Sequence, residues 1–153
     1  MYQRLEDAVR DIWGKDVAVQ SRQSVSGGDI NEAYHLLLSN GEDAFLKLNS
    51  KAADNFFTAE AHGLKAMAEA GANVPQVLAC GKAAEGTKFL LLGYEKRSRP
   101  TKGYWSLLGQ MLANMHSANT EYLAGGKMFG FYEDNFIGAT RQTNSPKSGW
   151  VEF

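Results

Sequence analysis

The sequence holds one cysteine, Cys80, and with it neither an internal disulfide framework nor a cysteine-rich zinc site. Such a chain fits a reducing compartment, and a cytoplasmic location is the expectation. No uncharged apolar run approaches the roughly 18 residues of a membrane-spanning helix. The opening stretch, MYQRLEDAVRDIWGKD, lacks the apolar core and small-residue cleavage site of a signal peptide. Charge of one sign is missing as well: 16 Lys and Arg stand against 17 Asp and Glu, a formal net charge of −1. Without a basic excess, neither nucleic acid nor an anionic membrane is expected as a partner. His35, His62 and His116 have no metal-ligand spacing, so no metal-binding residues are expected here. Internal repeats, low-complexity tracts and charge blocks are absent too.

What the chain does have is material for a core. Hydrophobic residues make up 44%, aromatic residues 11% and charged residues 22% of its 153 positions, ordinary proportions for a folded domain. A domain of about 150 residues buries roughly 68–70% of its unfolded surface. Leu5, Ala8, Val9, Ile12 and Trp13 recur at helical spacing before Gly14, which predicts a short amphipathic helix. VAVQSRQSV from Val17, NEAYHLLL, and the run Phe45, Leu46 and Leu48 predict three strands in a meander, with Ser39–Asn40–Gly41 as a hairpin turn.

Asp54 to Ala70 predicts a helix capped by Asp54 or Asn55, ended by Gly71, with Phe57, Ala61, Leu64 and Met67 along its apolar stripe. Two more strands are expected at Gln76–Cys80 and Lys88–Tyr94, and Cys80 reads as a small core residue. Lys96–Gly103 is a polar connector. Tyr104 to Ser117 then reads as a helix with Trp105, Leu108, Leu112 and Met115 on one face. From Gly125 the tail reads as irregular, anchored by Phe129, Phe131, Phe136 and Trp150. The expected class is α+β: five antiparallel strands with one inserted helix, then a second helical part.

Ser26–Gly27–Gly28 falls where the first strand turns back into the second. Glycine lets a ligand approach backbone N–H groups with no Cβ in the way, which suits phosphate and a plain hairpin turn equally. Neither G-x-G-x-x-G nor G-x-x-x-x-G-K-[ST] occurs. Lys47 interrupts the apolar strand F-L-K-L, and alternation puts its side chain on one sheet face with Phe45. Buried there, an ammonium is costly unless paired; exposed, it is an ordinary strand lysine. Glu60 is one of several helical acids, and a solvated charge accounts for it alone. The combination says more. A glycine-containing hairpin, a lysine in the third strand and a glutamate in the next helix form the phosphate-holding assembly of a kinase-like small lobe. FLLLGYE would then end at a hinge whose backbone hydrogen-bonds adenine.

The blocks SGGDINEAYHL, FLKLN, FTAEAHGLKAM, VPQVLACG, FLLLGYE, LGQMLANMH, FGFYEDNFIG and GWVEF resemble the fructosamine kinase (ketosamine-3-kinase) family in order and spacing. That family sits in the protein-kinase-like superfamily, near aminoglycoside phosphotransferases. The resemblance implies transfer of the ATP γ-phosphate to a sugar hydroxyl of a fructosamine or ribulosamine on a glycated amine, which permits deglycation. It makes Ser26, Gly27 and Gly28 the phosphate loop, Lys47 the phosphate-binding lysine and Glu60 its partner. Gly93, Tyr94 and Glu95 become the adenine hinge, with Gly93 where an acidic residue is usual. Asp29 stands where some relatives carry a cysteine. Asp134 and Asn135 lie in a loop that could face substrate, although such residues commonly just build turns.

The family's H-G-D-L-x-x-x-N string, with its proton-accepting Asp, is not in this sequence, nor is the later Asp-containing motif. The resemblance therefore implies a kinase-like N-terminal lobe over 1–95, a connector over 96–103 and the start of a helical lobe over 104–153. Catalytic residues and the magnesium ligands would lie in a large lobe outside these residues, and turnover by this chain alone is not expected. Two other readings stand beside it: an inactive nucleotide-binding or protein-interaction module, and an aminoglycoside-like phosphotransferase.

Overall fold

In the computed structural model the structure describes residues 1–27 and 30–153. The elements run α1 (Leu5–Trp13), β1 (Val19–Ser24), β2 (Glu32–Leu38), β3 (Asp43–Asn49), α2 (Phe56–Glu69), β4 (Val77–Lys82), β5 (Lys88–Gly93) and α3 (Tyr104–His116). Two short strands, β6 (Asn135–Ile137) and β7 (Thr140–Gln142), follow, with single 3-10 turns at Glu121–Ala124 and Trp150–Glu152. The chain divides into two compact units, Met1–Ala61 with Pro75–Lys96, and His62–Val74 with Arg97–Phe153. The α+β class and the five-stranded antiparallel sheet expected from the sequence are what it forms.

In the first unit the strand order is β1-β2-β3-β5-β4, every pairing antiparallel. One sheet face builds the core: Leu36, Ala44, Leu46, Ala79, Phe89 and Leu91 gather with Ala8 of α1. Each buried leucine of this kind contributes about 1.5–3 kcal/mol of transfer free energy. β5 lies between β3 and β4 and is buried on both faces, which is why its sequence reads as the continuous apolar run Phe89–Leu92 rather than an alternation. The β2–β3 connection is a tight hairpin in which the Leu38 N–H donates to Glu42 O at 2.8 Å.

Tyr2 adds a single parallel bridge to the outer side of β4, its N–H donating to Cys80 O at 3.4 Å and its carbonyl accepting from Lys82 at 3.1 Å. A side chain at Gly81 would collide with the Tyr2 carbonyl and the Phe89 ring, so glycine is required for this close approach. β4 runs two residues past the expected end. Cys80 consequently sits within the strand and is half-buried, not a core residue.

The second unit forms the expected helix α3 but corrects two expectations, the irregular tail and the anchoring by Trp150. The tail is not wholly irregular, because Asn135–Ile137 and Thr140–Gln142 pair as a small hairpin. α3 buries no residue, and Trp105, on its expected apolar face, is 72% exposed. Trp150 is 69% exposed, a surface residue and not a buried anchor, its ring meeting those of Phe129 and Phe153. Phe129 instead exchanges two backbone hydrogen bonds with Lys147, at 3.1 and 2.8 Å. No described helix is long and apolar enough to cross a membrane.

Candidate functional site

Lys47 lies inside the sheet, paired with Ala33 of β2 on one side and Leu90 of β5 on the other. Strand alternation sends Ala44 and Leu46 into the core and leaves Phe45 and Lys47 on the opposite face. Against Lys47, α2 presents Phe57 and Glu60, one turn apart. Lys47 Nζ donates to Glu60 Oε1 at 2.6 Å and Oε2 at 2.8 Å, and stands 5.8 Å from the centre of the Phe57 ring. The side chains are 22% and 29% exposed, so this is neither a free strand lysine nor a sealed ion pair. An ammonium has three hydrogens. The carboxylate takes two, and the third is left for an acceptor arriving from outside.

The loop between β1 and β2 begins after the Val25 N–H donates to Ala33 O at 2.9 Å. Ser26 is exposed, and Gly27 has φ +133° with no neighbouring atom within 4 Å of the place a Cβ would occupy. Gly28 and Asp29 lie outside the described residues. The returning limb is tied down by Asn49 at the end of β3. Its Nδ2 donates to Ile30 O at 3.1 Å and Asn31 Oδ1 at 2.8 Å, while its Oδ1 accepts from the N–H groups of Lys51 and Ala52 at 2.9 and 2.8 Å. Sequence reasoning passed over Asn49. The available signal was an Asn closing the FLKLN strand, where such residues hydrogen-bond the chain two positions on.

At the far end of the same strands, the Gly93 N–H donates to Gln76 O at 2.8 Å. Tyr94 is half-buried and Glu95 exposed. The Tyr94 ring stacks on His35, whose Nε2 lies 2.7 Å from Asp43 Oδ1. That hydrogen bond, with Lys96 beyond it, holds the Asp43 carboxyl below the usual carboxylate range.

Asp134 and Asn135 belong to the second unit. Asp134 Oδ2 accepts from Arg141 Nη2 at 2.7 Å and Nε at 3.2 Å, and Oδ1 accepts from the Asn144 N–H at 3.0 Å. The backbone bond from Asn144, then Arg141, lowers its pKa. This carboxylate clasps the β6–β7 hairpin. Asn135 Oδ1 is buried with no hydrogen-bond partner among the described residues. His62 Nδ1 lies 2.6 Å from Glu133 Oε1, and His116 is exposed at the end of α3. The structure thus brings Lys47 and Glu60 into contact, keeps Gly93–Glu95 in the same unit, and places Asp134 and Asn135 in the other. Among the described residues no three His, Cys, Asp or Glu side chains gather to hold a metal ion.

The fructosamine kinase family model matches residues 1–153. A probable ketoamine kinase of Synechocystis sp. is 35% identical over 153 residues, an alignment covering 99% of this chain and 50% of that protein. A chloroplastic protein-ribulosamine 3-kinase of Oryza sativa subsp. japonica is 33% identical, with 97% of this chain and 43% of the relative covered. The chain thus spans about half the length of the curated relatives it matches. A putative fructosamine-3-kinase from Thermobifida fusca, solved by crystallography, superposes with a TM-score of 0.74 at 28% identity, over 100% of this chain and 50% of that one. An aminoglycoside phosphotransferase, at TM-score 0.54 and 17% identity over 82% of this chain and 42% of its own, shares the fold alone.

Proposed function

The chain belongs to the fructosamine kinase family, and from that premise we propose that it supplies the nucleotide-holding part of an ATP-dependent ketosamine kinase. The observation that carries this reading is the bidentate Lys47–Glu60 pair. Glu60 fixes the ammonium on the β3 face and leaves its charge and one hydrogen for phosphate oxygens, a charge-assisted contact stronger than a neutral one. Gly27 has no side chain of its own to screen the loop backbone, and Ser26 and Gly28 flank it in the sequence. Backbone groups of Gly93, Tyr94 and Glu95 are assigned to adenine. In the reaction, the γ-phosphoryl group of ATP passes to a sugar hydroxyl of a ketosamine, such as a fructosamine or ribulosamine on a glycated amine, with ADP and a proton released.

Among the described residues no three ligands gather for a metal ion, and the magnesium that accompanies ATP would be held by its phosphates and by groups outside these residues. ATP binding is the direct test of this reading. By isothermal titration calorimetry, Lys47→Ala is expected to weaken ATP about 10- to 100-fold, the worth of a hydrogen bond to a charged group. Circular dichroism should be unchanged, because the freed Glu60 remains partly solvated. In a family member of full relative length, the equivalent lysine change should lower ketosamine phosphorylation in step. Unaltered ATP affinity in the variant would refute the assignment.

A further inference from the structure

The face that carries Phe45 and Lys47 ends in a cluster that phosphate binding does not use: His35, Asp43, Tyr94 and Lys96, all in the first unit. His35 and Asp43 are diagonal neighbours on β2 and β3, since Leu37 is the register partner of Asp43 and Phe45 that of His35. Imidazole Nε2 and carboxylate Oδ1 are 2.7 Å apart, and the side chains are 21% and 20% exposed. The other carboxylate oxygen, Oδ2, faces Lys96 Nζ at 3.4 Å. On the imidazole lies the Tyr94 ring, 4.0 Å between centroids and 21° between planes. A carboxylate bonded to one ring nitrogen sets the rotation of an imidazole, and a set imidazole fixes whatever stacks on it. The chain at the end of β5 and just beyond it is therefore held at two places, Gly93 by Gln76 and Tyr94 by His35, with the exposed Lys96 3.4 Å from Asp43.

We propose that His35 is a positioning residue for the adenine end of the nucleotide. Its stack on Tyr94 holds the Gly93–Glu95 backbone in the arrangement that receives the base, and Asp43 aims the imidazole. This rests on the nucleotide reading above but concerns the opposite end of the ligand from Lys47. Two ligands separate the ends: ATP presents base and phosphates, whereas inorganic tripolyphosphate presents phosphates alone.

The test is calorimetric titration of both ligands into the unmodified chain, His35→Gln and His35→Phe. Glutamine keeps a donor for Asp43 and loses the ring; phenylalanine keeps a ring and loses the donor. His35→Gln should weaken ATP about fivefold, within the range of an aromatic pair, and leave tripolyphosphate unchanged. His35→Phe, which keeps a ring but not the Asp43 bond that aims it, should weaken ATP by less than His35→Gln does and leave tripolyphosphate unchanged. Should His35→Gln fail to fold, Asp43→Asn is read in its place, with the ratio of ATP to tripolyphosphate affinity expected to fall. An unmodified chain that binds neither ligand overturns the nucleotide reading itself. ATP binding that is indifferent to His35→Gln, or tripolyphosphate lost in proportion to ATP, overturns the role of His35 and leaves that of Lys47 standing.

Discussion

The two units hold their shapes by different means. The first fully buries Val9, Leu36, Leu38, Leu46, Leu90 and Leu91. In the second, the hydrophobic residues buried among those described are two alanines, Ala66 and Ala124, while Trp105 and Leu107 of α3 stand in solvent. Its order comes instead from specific polar contacts. Buried Asn144 donates through Nδ2 to Glu133 O at 3.2 Å, Asp134 grips Arg141, and His62 meets Glu133. Apolar burial is spread over many small contacts and tolerates the loss of any one hydrogen bond. A structure resting on polar clasps fails locally when a partner is removed.

The largest expected effect tests the first half of that comparison. Leu46→Ala should destabilise the sheet by about 2–5 kcal/mol, read as faster amide hydrogen exchange across β1 to β5 together. Protection lost in β3 alone would mean that the sheet does not respond as one unit. Next in size, Asn144→Ala removes the Nδ2 donor to Glu133 O and should cost about 1–3 kcal/mol, with faster exchange confined to residues 129–147. Exchange that quickened equally in the sheet would break the contrast.

Acid gives the smallest effect. The pKa of Asp134 is lowered, chiefly by the Asn144 N–H, and those of Asp43 and Asp54 by His35 and Lys82 respectively. A carboxyl whose folded pKa lies below its unfolded one stabilises above the unfolded value of about 4, and loses that contribution as pH falls through the folded value. In an NMR titration from neutral to acid pH, stability should hold down to that range. Resonances of residues 129–147 should then shift before those of the sheet core. The reverse order would show that the sheet depends on its carboxylates more than the hairpin does.

How much of this was legible in the sequence varies with the length scale of the cause. Lys47 could be placed on its face because F-L-K-L alternates over four residues, and β5 because a strand buried on both sides needs an unbroken apolar run. The resemblance to a known family then singled out Glu60 from the other helical acids. The β6–β7 hairpin escaped because its strands are three residues each and are set by the Asp134 clasp, not by apolar alternation. Asp43 and His35 come together only once the register of β2 on β3 is known, which no local pattern states. The stripe on α3 was read correctly as apolar, but periodicity says nothing about whether a surface is covered.

Tyr2 has a consequence beyond its own hydrogen bonds. β4 is the outermost strand on one side of the sheet, and sheets of separate molecules join by aligning rows of free backbone groups along such edges. With the Cys80 carbonyl and the Lys82 N–H already occupied by Tyr2, that row is interrupted in its second half. The opposite edge, β1, exposes Gln20, Arg22, Gln23 and Ser24, polar side chains that discourage dry contact. Tyr2 thereby leaves fewer free backbone groups along this edge for a second sheet to pair with, and it can lie there only because position 81 has no side chain to push it away.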